Sequence, residues 1–504
     1  MIGQYGSVTK PDVLSRAVAA GMLAAIVFTA LAHGAVEPWS VAVFEVIVLA
    51  LALLWAIKIM ADRRIKVTVP RTALPMAAFI AIGLIQSVAI TGADGYRRSL
   101  SFNVESTRGA VIVLVLLTFS FLTAANFFTG RKRLFTIASF LTVYGMVVAV
   151  FALAQYFTWN GHFYWLRPNT VSTSPFGPFV NHNHFAGYME MLIPIPLALV
   201  ITRAVRGGRR LLYALAAALM ALAAVVSLSR GGMISLLASF IFIFVMSRRL
   251  SRTLAPAGRS RANRAGADNR PRLRSPGGRA GSAKPSLSPS FLSRAVTVCL
   301  IAGVIAAGGF WIGAEPIIDR ITQGEVSSTA SQRETFYASR GWIWKDTLTM
   351  ISANPILGVG LGAYGTAFSI YTKSDGAIRV PQAHNDYLQI VADCGVIGGA
   401  LALWFIVSLF RAILRPIRSL DPLVSGLALG GSASIFAILV HSFFDFNLQL
   451  PSNALLFLFL SAIASQAGAA ALDTEASPPS QGGRGMGDVD LENFSAANLA
   501  RGAS

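Results

Sequence analysis

The chain has 504 residues, of which 54% are hydrophobic and only 13% are charged. This composition, with a mean hydropathy of +0.60, excludes a soluble globular protein of this size and predicts that most of the chain lies in lipid. The net charge of +19 is explained by basic residues on the cytoplasmic side and their contact with anionic headgroups, so we expect no nucleic-acid partner. The only two cysteines, Cys299 and Cys394, exclude a disulfide framework.

Long apolar runs follow one another along the chain, separated by short charged breaks. A run of about 20 apolar residues crosses the hydrocarbon core, and its backbone amides must be paired within the segment, so each run is predicted to be a helix. The first run follows Lys10 and Arg16 and also resembles a cleavable signal peptide, although it is long for one. The sequence thus predicts an all-α polytopic membrane protein. About twelve transmembrane helices are predicted, at 14–35, 39–60, 72–91, 109–129, 134–157, 184–202, 211–228, 232–247, 295–314, 386–410, 422–441 and 452–470.

Lysine and arginine residues are dense in alternate connections, and such connections normally face the cytoplasm. With the N-terminus in the cytoplasm, 31 of the 42 Lys and Arg residues fall on that side. We therefore predict a multi-pass protein of the bacterial inner (cytoplasmic) membrane with a periplasmic active face. Six segments are expected: N-terminal transmembrane helices (1–174), further transmembrane helices (175–247), a disordered basic cytoplasmic loop (248–294), a transmembrane helix with a large folded periplasmic loop (295–385), C-terminal transmembrane helices (386–472) and a disordered cytoplasmic tail (473–504).

The large periplasmic loop is the first place to look for a site, because residues 315–385 combine aromatic and charged side chains. Within it, 333–353 has the apolar spacing of a helix that lies on the membrane surface. His384 stands where the loop turns into a span, and histidine is the usual general base near neutral pH. We therefore select His384 as the candidate base, with Asn385 or Asp386 as the residue that could orient its ring.

Two arginines are placed on the same outer side by the topology. Arg230 lies in a tight turn between two apolar spans, where a charge is costly unless a partner or water reaches it. It is either an anion-binding residue or an interfacial turn residue. Arg340, beside Trp342 and Trp344 on the predicted surface helix, is either part of a site or a solvated side chain on a polar face.

The remaining histidines have competing interpretations. His182 and His184 alternate with Asn181 and Asn183, and in an extended segment both rings would point to one side, as some metal sites require. The alternative is that this segment lines a sugar or acceptor cleft. The other three histidines are expected to be interfacial residues satisfied by headgroups and water; they are His33, His162 and His441.

Two further features keep other classes of protein open. The glycines at 358, 360, 362 and 365 form either a phosphate cradle or a flexible turn, and the Lys-Ser/Thr that follows in a nucleotide-binding loop is missing. Glu45 and Glu190 fall within predicted spans and are the best support for a rival function, a multi-span transporter of anions or lipid-linked sugars.

Six stretches, taken in order and with their spacing, resemble the O-antigen ligase and O-antigen polymerase superfamily over roughly 175–455. The chain departs from the superfamily pattern at Asp393, where the helix after His-Asn often carries Glu before Gly. The matching stretches are Phe179-Val180-Asn181-His182-Asn183-His184-Phe185-Ala186-Gly187-Tyr188, Leu228-Ser229-Arg230-Gly231-Gly232, Arg340 with Trp342 and Trp344, Asn354-Pro355-Ile356-Leu357-Gly358-Val359-Gly360-Leu361-Gly362, His384-Asn385-Asp386-Tyr387-Leu388, and His441-Ser442-Phe443-Phe444-Asp445-Phe446-Asn447.

This resemblance implies a fold similar to GT-C-type lipid-linked glycosyltransferases. It also implies transfer of a glycan from a polyprenyl (undecaprenyl) diphosphate carrier to an acceptor hydroxyl at the periplasmic face. Arg230 and Arg340 would neutralise the leaving diphosphate and His384 would act as base, so neither a metal nor another cofactor is expected. The candidate substrate-binding residues are Asn181, His182, His184, Trp342, Asn385, Asp386, Asp393 and His441.

The expected partners are the carrier-linked glycan, an acceptor and membrane lipid. The acceptor of a ligase would be lipid A core, and we rank this activity first. A growing polysaccharide would be the acceptor of a polymerase, and protein O-oligosaccharyltransferase activity is the third alternative.

Overall fold

The computed structural model describes residues 13–63, 67–91, 97–169, 175–265, 330–372 and 380–476. Helices dominate these residues, and the strands among them form two short antiparallel hairpins, β1 (Ala89–Thr91) with β2 (Arg97–Ser99) and β3 (His162–Phe163) with β4 (Arg167–Pro168). The helices are α1 (Val13–Leu31), α2 (Pro38–Asp62), α3 (Ala73–Gln86), α4 (Val104–Phe127), α5 (Arg131–Phe157), α6 (His182–Leu192), α7 (Pro194–Ile201), α8 (Gly208–Val226), α9 (Arg230–Ala265), α10 (Ala330–Ala353), α11 (Tyr364–Tyr371), α12 (Asp386–Leu414), α13 (Pro422–His441) and α14 (Pro451–Ala476), with 3₁₀ turns at Pro416–Arg418 and Asn447–Gln449.

The protein is a mostly helical, multi-pass membrane protein. Within the described ranges, nine helical stretches are long and apolar enough to cross a membrane, and α6 and α7 together form one of them. The spans predicted at 72–91 and 452–470 correspond to the shorter apolar helices Ala73–Gln86 and Pro451–Ala467. The span predicted at 295–314 lies outside the described residues.

The centre of the bundle is formed by α6, α7 and α13. The stretch His182–Ile201 is buried throughout, and α13 packs against α7, α9 and α14. Pro194 separates α6 from α7 because its ring carries no N–H and cannot continue the ladder of hydrogen bonds. The Ser434 hydroxyl of α13 donates to the Met191 carbonyl oxygen at 2.6 Å, which ties the two central elements together.

The connections gather at the two ends of this bundle. At one end the Ser452 N–H donates to the Gly34 carbonyl oxygen at 3.3 Å. The described loop residues 330–372 and 380–385 lie at this same end, which we call the loop end. At the other end Arg131 Nε lies 2.8 Å from Asp421 Oδ2. We call this the basic end, because arginines cluster there at the start of α5, between α7 and α8, and after α12.

The described part of the loop has its own small hydrophobic core. α10 covers the helix predicted over 333–353. Its inner face packs with α11 and with the residues before α12, so that Ile343, Met350, Tyr364 and Phe368 are buried together. The loop therefore forms a compact cap on the loop end of the bundle.

The helix α9 is longer than predicted. Its membrane-spanning part ends near Arg248, as expected, but the helix continues to Ala265. Residues 248–265, expected to begin the disordered loop, thus continue this helix, although Pro256 and Gly258 are poor helix formers. Similarly, α14 continues to Ala476, beyond the predicted start of the tail at 473.

The helix α12 is broken inside its span. Gly395 has φ 64° and ψ −165°, a conformation that side chains other than glycine rarely adopt. The backbone groups freed by the break pair with the turn after α10: the Val359 N–H donates to the Ala392 carbonyl at 2.9 Å, and the Val396 N–H donates to the Pro355 carbonyl at 2.8 Å. The loop and the broken helix thus form one hydrogen-bonded unit.

Gln86, the last residue of α3, is fully buried against this unit. Its Nε2 donates to the carbonyl oxygens of Leu357, at 2.6 Å, and Asp393, at 2.9 Å. Its Oε1 accepts from the Leu361 N–H at 2.9 Å. One amide side chain therefore joins an early helix to the loop and to the broken helix.

Candidate functional site

Three remote parts of the sequence meet on the segment that follows α13. Arg340 Nη1 donates to the Phe444 carbonyl oxygen at 2.8 Å, and His384 Nδ1 lies 3.3 Å from Asp445 Oδ1. A Cβ built on Gly231 would lie 3.1 Å from the Phe444 Cβ, so the turn that carries Arg230 packs on the same segment. The structure thus brings Arg340, His384 and the turn that carries Arg230 to one place at the loop end.

His384 and Asp445 form a histidine–carboxylate pair at the surface of this cluster. The His384 side chain is 31% exposed whereas the Asp445 side chain is 1% exposed. Burial alone would raise the pKa of Asp445, but the hydrogen bond with His384 and the positive charge of Arg340 lower it below its ordinary value. An ionised carboxylate beside Nδ1 fixes the orientation of the imidazole ring, as a general base requires.

The residue that orients His384 is not one of the two predicted. Asn385 caps α12, because its Oδ1 accepts two backbone N–H groups of the first turn at 3.0 Å. Asp386 Oδ2 accepts from the Ser442 hydroxyl at 2.8 Å. Both side chains hold the loop end of α12 against the segment after α13, and the ring is held by Asp445. The sequence signal for Asp445 was present, since it is the single acid within an aromatic motif already noted.

Arg230 is positioned by a tight capped turn. The Ser229 hydroxyl accepts from the Gly232 N–H at 3.1 Å, which satisfies one of the free donors at the start of α9. Leu228 has φ 60° and makes the reversal between α8 and α9. Arg230 is the first residue of α9 and is partly exposed, so its guanidinium lies at the rim of the bundle.

Beneath this turn lies a buried pair that was not predicted. His441 Nδ1 is 3.1 Å from both carboxylate oxygens of Glu190, and each side chain is 1% exposed. The expectation that His441 is an interfacial residue is therefore wrong, because α13 is central and its last turn is covered by α6 and α9. The His441 ring in turn packs against Gly231, whose built Cβ would lie 2.9 Å from Cδ2 and Nε2.

A second expected interfacial histidine is also buried. His33 is 5% exposed, and its ring lies edge-on to Phe163 with 4.8 Å between the ring centroids. The hairpin formed by β3 and β4 covers it and shields it from headgroups. His162, in that hairpin, is partly exposed, and its Nδ1 lies 3.1 Å from the Asn160 carbonyl oxygen.

The Asn-His-Asn-His segment is not extended. Asn181 Oδ1 accepts from the Asn183 N–H at 2.9 Å and starts α6, so His182 is already helical. Residues two apart on an α-helix are rotated by roughly 200° about the helix axis and lie on nearly opposite faces. The two histidine rings therefore do not point to one side, and the geometric basis for a His-x-His metal site is lost. His184 is buried against the Phe446 ring at 4.9 Å between centroids.

Phe446 connects this segment to the candidate base. The His384 ring also lies edge-on to Phe446, at 4.9 Å between centroids. His184 therefore packs against the Phe446 ring that His384 also contacts. His182, at the first position of α6, is partly exposed.

Asp393 lies apart from this cluster. It is buried about two turns further along α12, and its Oδ2 accepts from Gln389 Nε2 and from the Gly362 N–H, each at 3.2 Å. The Gly360 N–H of the same turn donates to the Asp393 carbonyl at 3.0 Å. These N–H groups already have acceptors within the protein, so the glycine-rich stretch is a packed turn and not a phosphate cradle.

The two tryptophans of α10 hold the loop in place. Trp344 Nε1 donates to the Ala383 carbonyl, next to His384, at 3.0 Å. Trp342 lies edge-on to Phe368 with 5.8 Å between centroids and belongs to the core of the loop. The predicted substrate-binding residue Trp342 is thus partly engaged in packing.

A known protein family matches the part of the sequence that contains the three candidate catalytic residues. Residues 215–405 match the sequence model of a family described as O-antigen ligase. This stretch is similar to O-antigen ligases. The resemblance predicted from the sequence motifs is confirmed, and the matched family supports a role in glycan transfer during polysaccharide assembly. No curated protein matches the chain.

The matched range contains Arg230, Arg340 and His384. The carboxylate partners of the site histidines lie on either side of it, Glu190 before residue 215 and Asp445 after residue 405. The cluster is therefore completed by residues outside the matched range.

Proposed function

We propose that this membrane protein transfers a glycan from a polyprenyl (undecaprenyl) diphosphate carrier to an acceptor hydroxyl at the periplasmic face of the bacterial inner membrane, without a metal. The observation that carries the proposal is the contact of Arg340 and His384 with neighbouring residues of one segment, Phe444 and Asp445. This segment also receives the Arg230 turn. Two cations and a base beside one another match the needs of a reaction that releases a diphosphate.

The orientation is supported by the distribution of charge. The basic end carries the arginine clusters at the start of α5, between α7 and α8, and after α12, and such clusters normally remain in the cytoplasm. The candidate site lies at the opposite end. A lipid-linked glycan with its headgroup in the periplasm would reach this end from the bilayer, with the carrier chain in lipid and the diphosphate at the rim.

In the proposed reaction, the acceptor oxygen attacks the anomeric carbon of the donor glycan, and the bond from that carbon to the diphosphate oxygen breaks. The diphosphate leaves with the bonding electron pair. Arg230 and Arg340 bind its oxygens, since planar guanidinium groups form paired hydrogen bonds with phosphate and stabilise the charge that develops near a low-dielectric boundary. Two arginines can supply the charge that a divalent ion would otherwise provide.

The hydroxyl proton passes to His384 Nε2. The other ring nitrogen, Nδ1, faces Asp445, so the protonated ring that forms is stabilised by a buried carboxylate. Lipid A core is the acceptor that we rank first. A growing polysaccharide or a protein would use the same chemistry, and supplying each acceptor separately to the purified protein distinguishes these activities.

The test replaces Arg230, Arg340 and His384 singly by Ala and measures glycan transfer from a polyprenyl diphosphate donor. We expect losses of about 10²–10³-fold for each arginine and about 10²–10⁴-fold for the histidine. Lys345→Ala is the matched control, because Lys345 is an exposed cation on the same helix as Arg340. It should leave the rate unchanged.

Full activity of the His384→Ala variant would remove the proposed base. Loss of activity with a chelator, restored by a divalent ion, would overturn the metal-free mechanism. Movement of the lipid-linked glycan across the bilayer without transfer to an acceptor would favour a transporter.

A further inference from the structure

The connection between α7 and α8, taken together with the first turn of α8, carries four arginines within eight residues: Arg203, Arg206, Arg209 and Arg210. It lies at the basic end of the bundle, far from the candidate site. Two adjacent cavities, of about 480 Å³ and 340 Å³, open at this connection. Arg206 lines both of them, Arg209 lines the larger and Arg203 and Arg210 line the smaller.

The positive charge of this connection is not balanced locally. Across the described ranges, none of the four arginines forms an ion pair, whereas Arg131 at the same end is paired with Asp421 at 2.8 Å. Four like charges within eight residues repel one another. An anion in the cavities would relieve this repulsion and accept hydrogen bonds from several guanidinium groups at once.

An apolar surface begins directly beside the arginines. Leu211, Leu212 and Leu215, on the first two turns of α8, are 73%, 62% and 49% exposed. In a membrane-spanning helix such side chains contact acyl chains. Phe135 of α5 lines the larger cavity and adds an apolar wall on the other side. The cationic cavities therefore sit where a lipid headgroup meets its own acyl chains.

We propose that the connection between α7 and α8 binds the phosphate of an anionic phospholipid, with the acyl chains along the exposed leucines of α8. The charge selects a headgroup with a net negative charge, and the apolar surface selects a lipid over free phosphate. Basic pockets between helices at the cytoplasmic side are suited to such headgroups. The proposal is independent of the glycan-transfer reaction, since it concerns the opposite end of the bundle.

The test uses the full chain, purified in a detergent without phospholipid, and measures the rise in melting temperature and the number of lipids retained on titration with phosphatidylglycerol. Phosphatidylcholine and inorganic phosphate serve as the two other ligands. We expect phosphatidylglycerol to stabilise the protein and phosphatidylcholine and phosphate to have little effect. Equal stabilisation by inorganic phosphate would show a free-phosphate site and overturn the lipid assignment.

Two variants locate the binding. Arg206→Gln with Arg209→Gln should weaken phosphatidylglycerol binding about 30-fold, because each cation near the surface contributes about a fivefold effect. Arg203→Gln with Arg210→Gln provides a second measurement if the first variant does not fold.

The control is Arg415→Gln with Arg418→Gln, which makes the same change of charge at the same end of the bundle but away from the cavities. It should bind phosphatidylglycerol like the unaltered protein. Equal weakening in the control and in the cavity variants would show diffuse electrostatic attraction and refute a defined site.

Discussion

Replacing Gly231 by Ala adds one methyl group where the Arg230 turn meets the segment after α13. The new Cβ would lie 2.9 Å from Cδ2 and Nε2 of the His441 ring and 3.1 Å from the Phe444 Cβ. Ordinary contacts between carbon atoms are about 3.5–4.0 Å, so the turn and the segment must separate by roughly 0.5–1 Å. Gly231 has helical geometry within α9, which means that the effect is steric and involves no strained backbone.

This displacement changes the spacing between Arg230 and the pair formed by His384 and Asp445. Because a misplacement of about 1 Å can reduce a rate about 10²-fold, we expect Gly231→Ala to transfer glycan about 100-fold more slowly. Overpacking should also lower the free energy of unfolding by about 1–3 kcal/mol. The assay is transfer from a polyprenyl diphosphate donor, with each rate divided by the amount of folded protein from a thermal unfolding curve.

Gly341→Ala provides a matched control, because Gly341 follows Arg340 as Gly231 follows Arg230. It lies within α10, and no heavy atom lies within 4 Å of its built Cβ. The variant should retain full activity and gain about 0.5–1 kcal/mol, since Ala is favoured over Gly in a helix. If folded Gly231→Ala and Gly341→Ala proteins have equal rates, the turn does not position Arg230 in the way inferred.

Asp445→Asn should lower turnover about 10²–10⁴-fold with little change in KM for the donor, because the His384 ring loses its buried carboxylate; steady-state kinetics check this, and unchanged turnover would contradict the pairing. Glu190→Ala should cost about 3–5 kcal/mol of stability because it leaves buried His441 without its partner. Glu190→Gln, which retains an acceptor oxygen, should cost less, and thermal unfolding in detergent compares the two. Gly360→Ala should lower the free energy of unfolding by about 1–3 kcal/mol, because Gly360 has φ 112° and the added Cβ would clash with the Ser101 side chain. An unchanged melting temperature would show that the turn can rearrange.

The helices could be predicted from the sequence because length and hydropathy alone determine whether a segment crosses lipid. The runs at 39–60 and 422–441 correspond closely to α2 and α13. The polar pairs could not be predicted in this way. Asp445 is 61 residues from His384, and Glu190 is 251 residues from His441, so these contacts depend on how the helices pack.

A local signal was misinterpreted at the start of α6. Asn181 has the side chain of a helix N-cap and begins a helix, but the alternating His and Asn pattern also suits an extended segment. The helix forms in place of an extended segment because the free N–H groups of its first turn are buried and need acceptors, one of which the Asn181 side chain supplies.

Gln86 has a consequence for the biogenesis of the protein. Its three hydrogen-bonding partners, Leu357, Leu361 and Asp393, are made more than 270 residues later in translation. Until then, α3, a helix of 14 residues, lacks the partners that its buried amide has in the folded protein, and an unpaired amide is costly wherever water does not reach it. The early helix α3 therefore gains its final hydrogen bonds only after the chain has been made as far as Asp393.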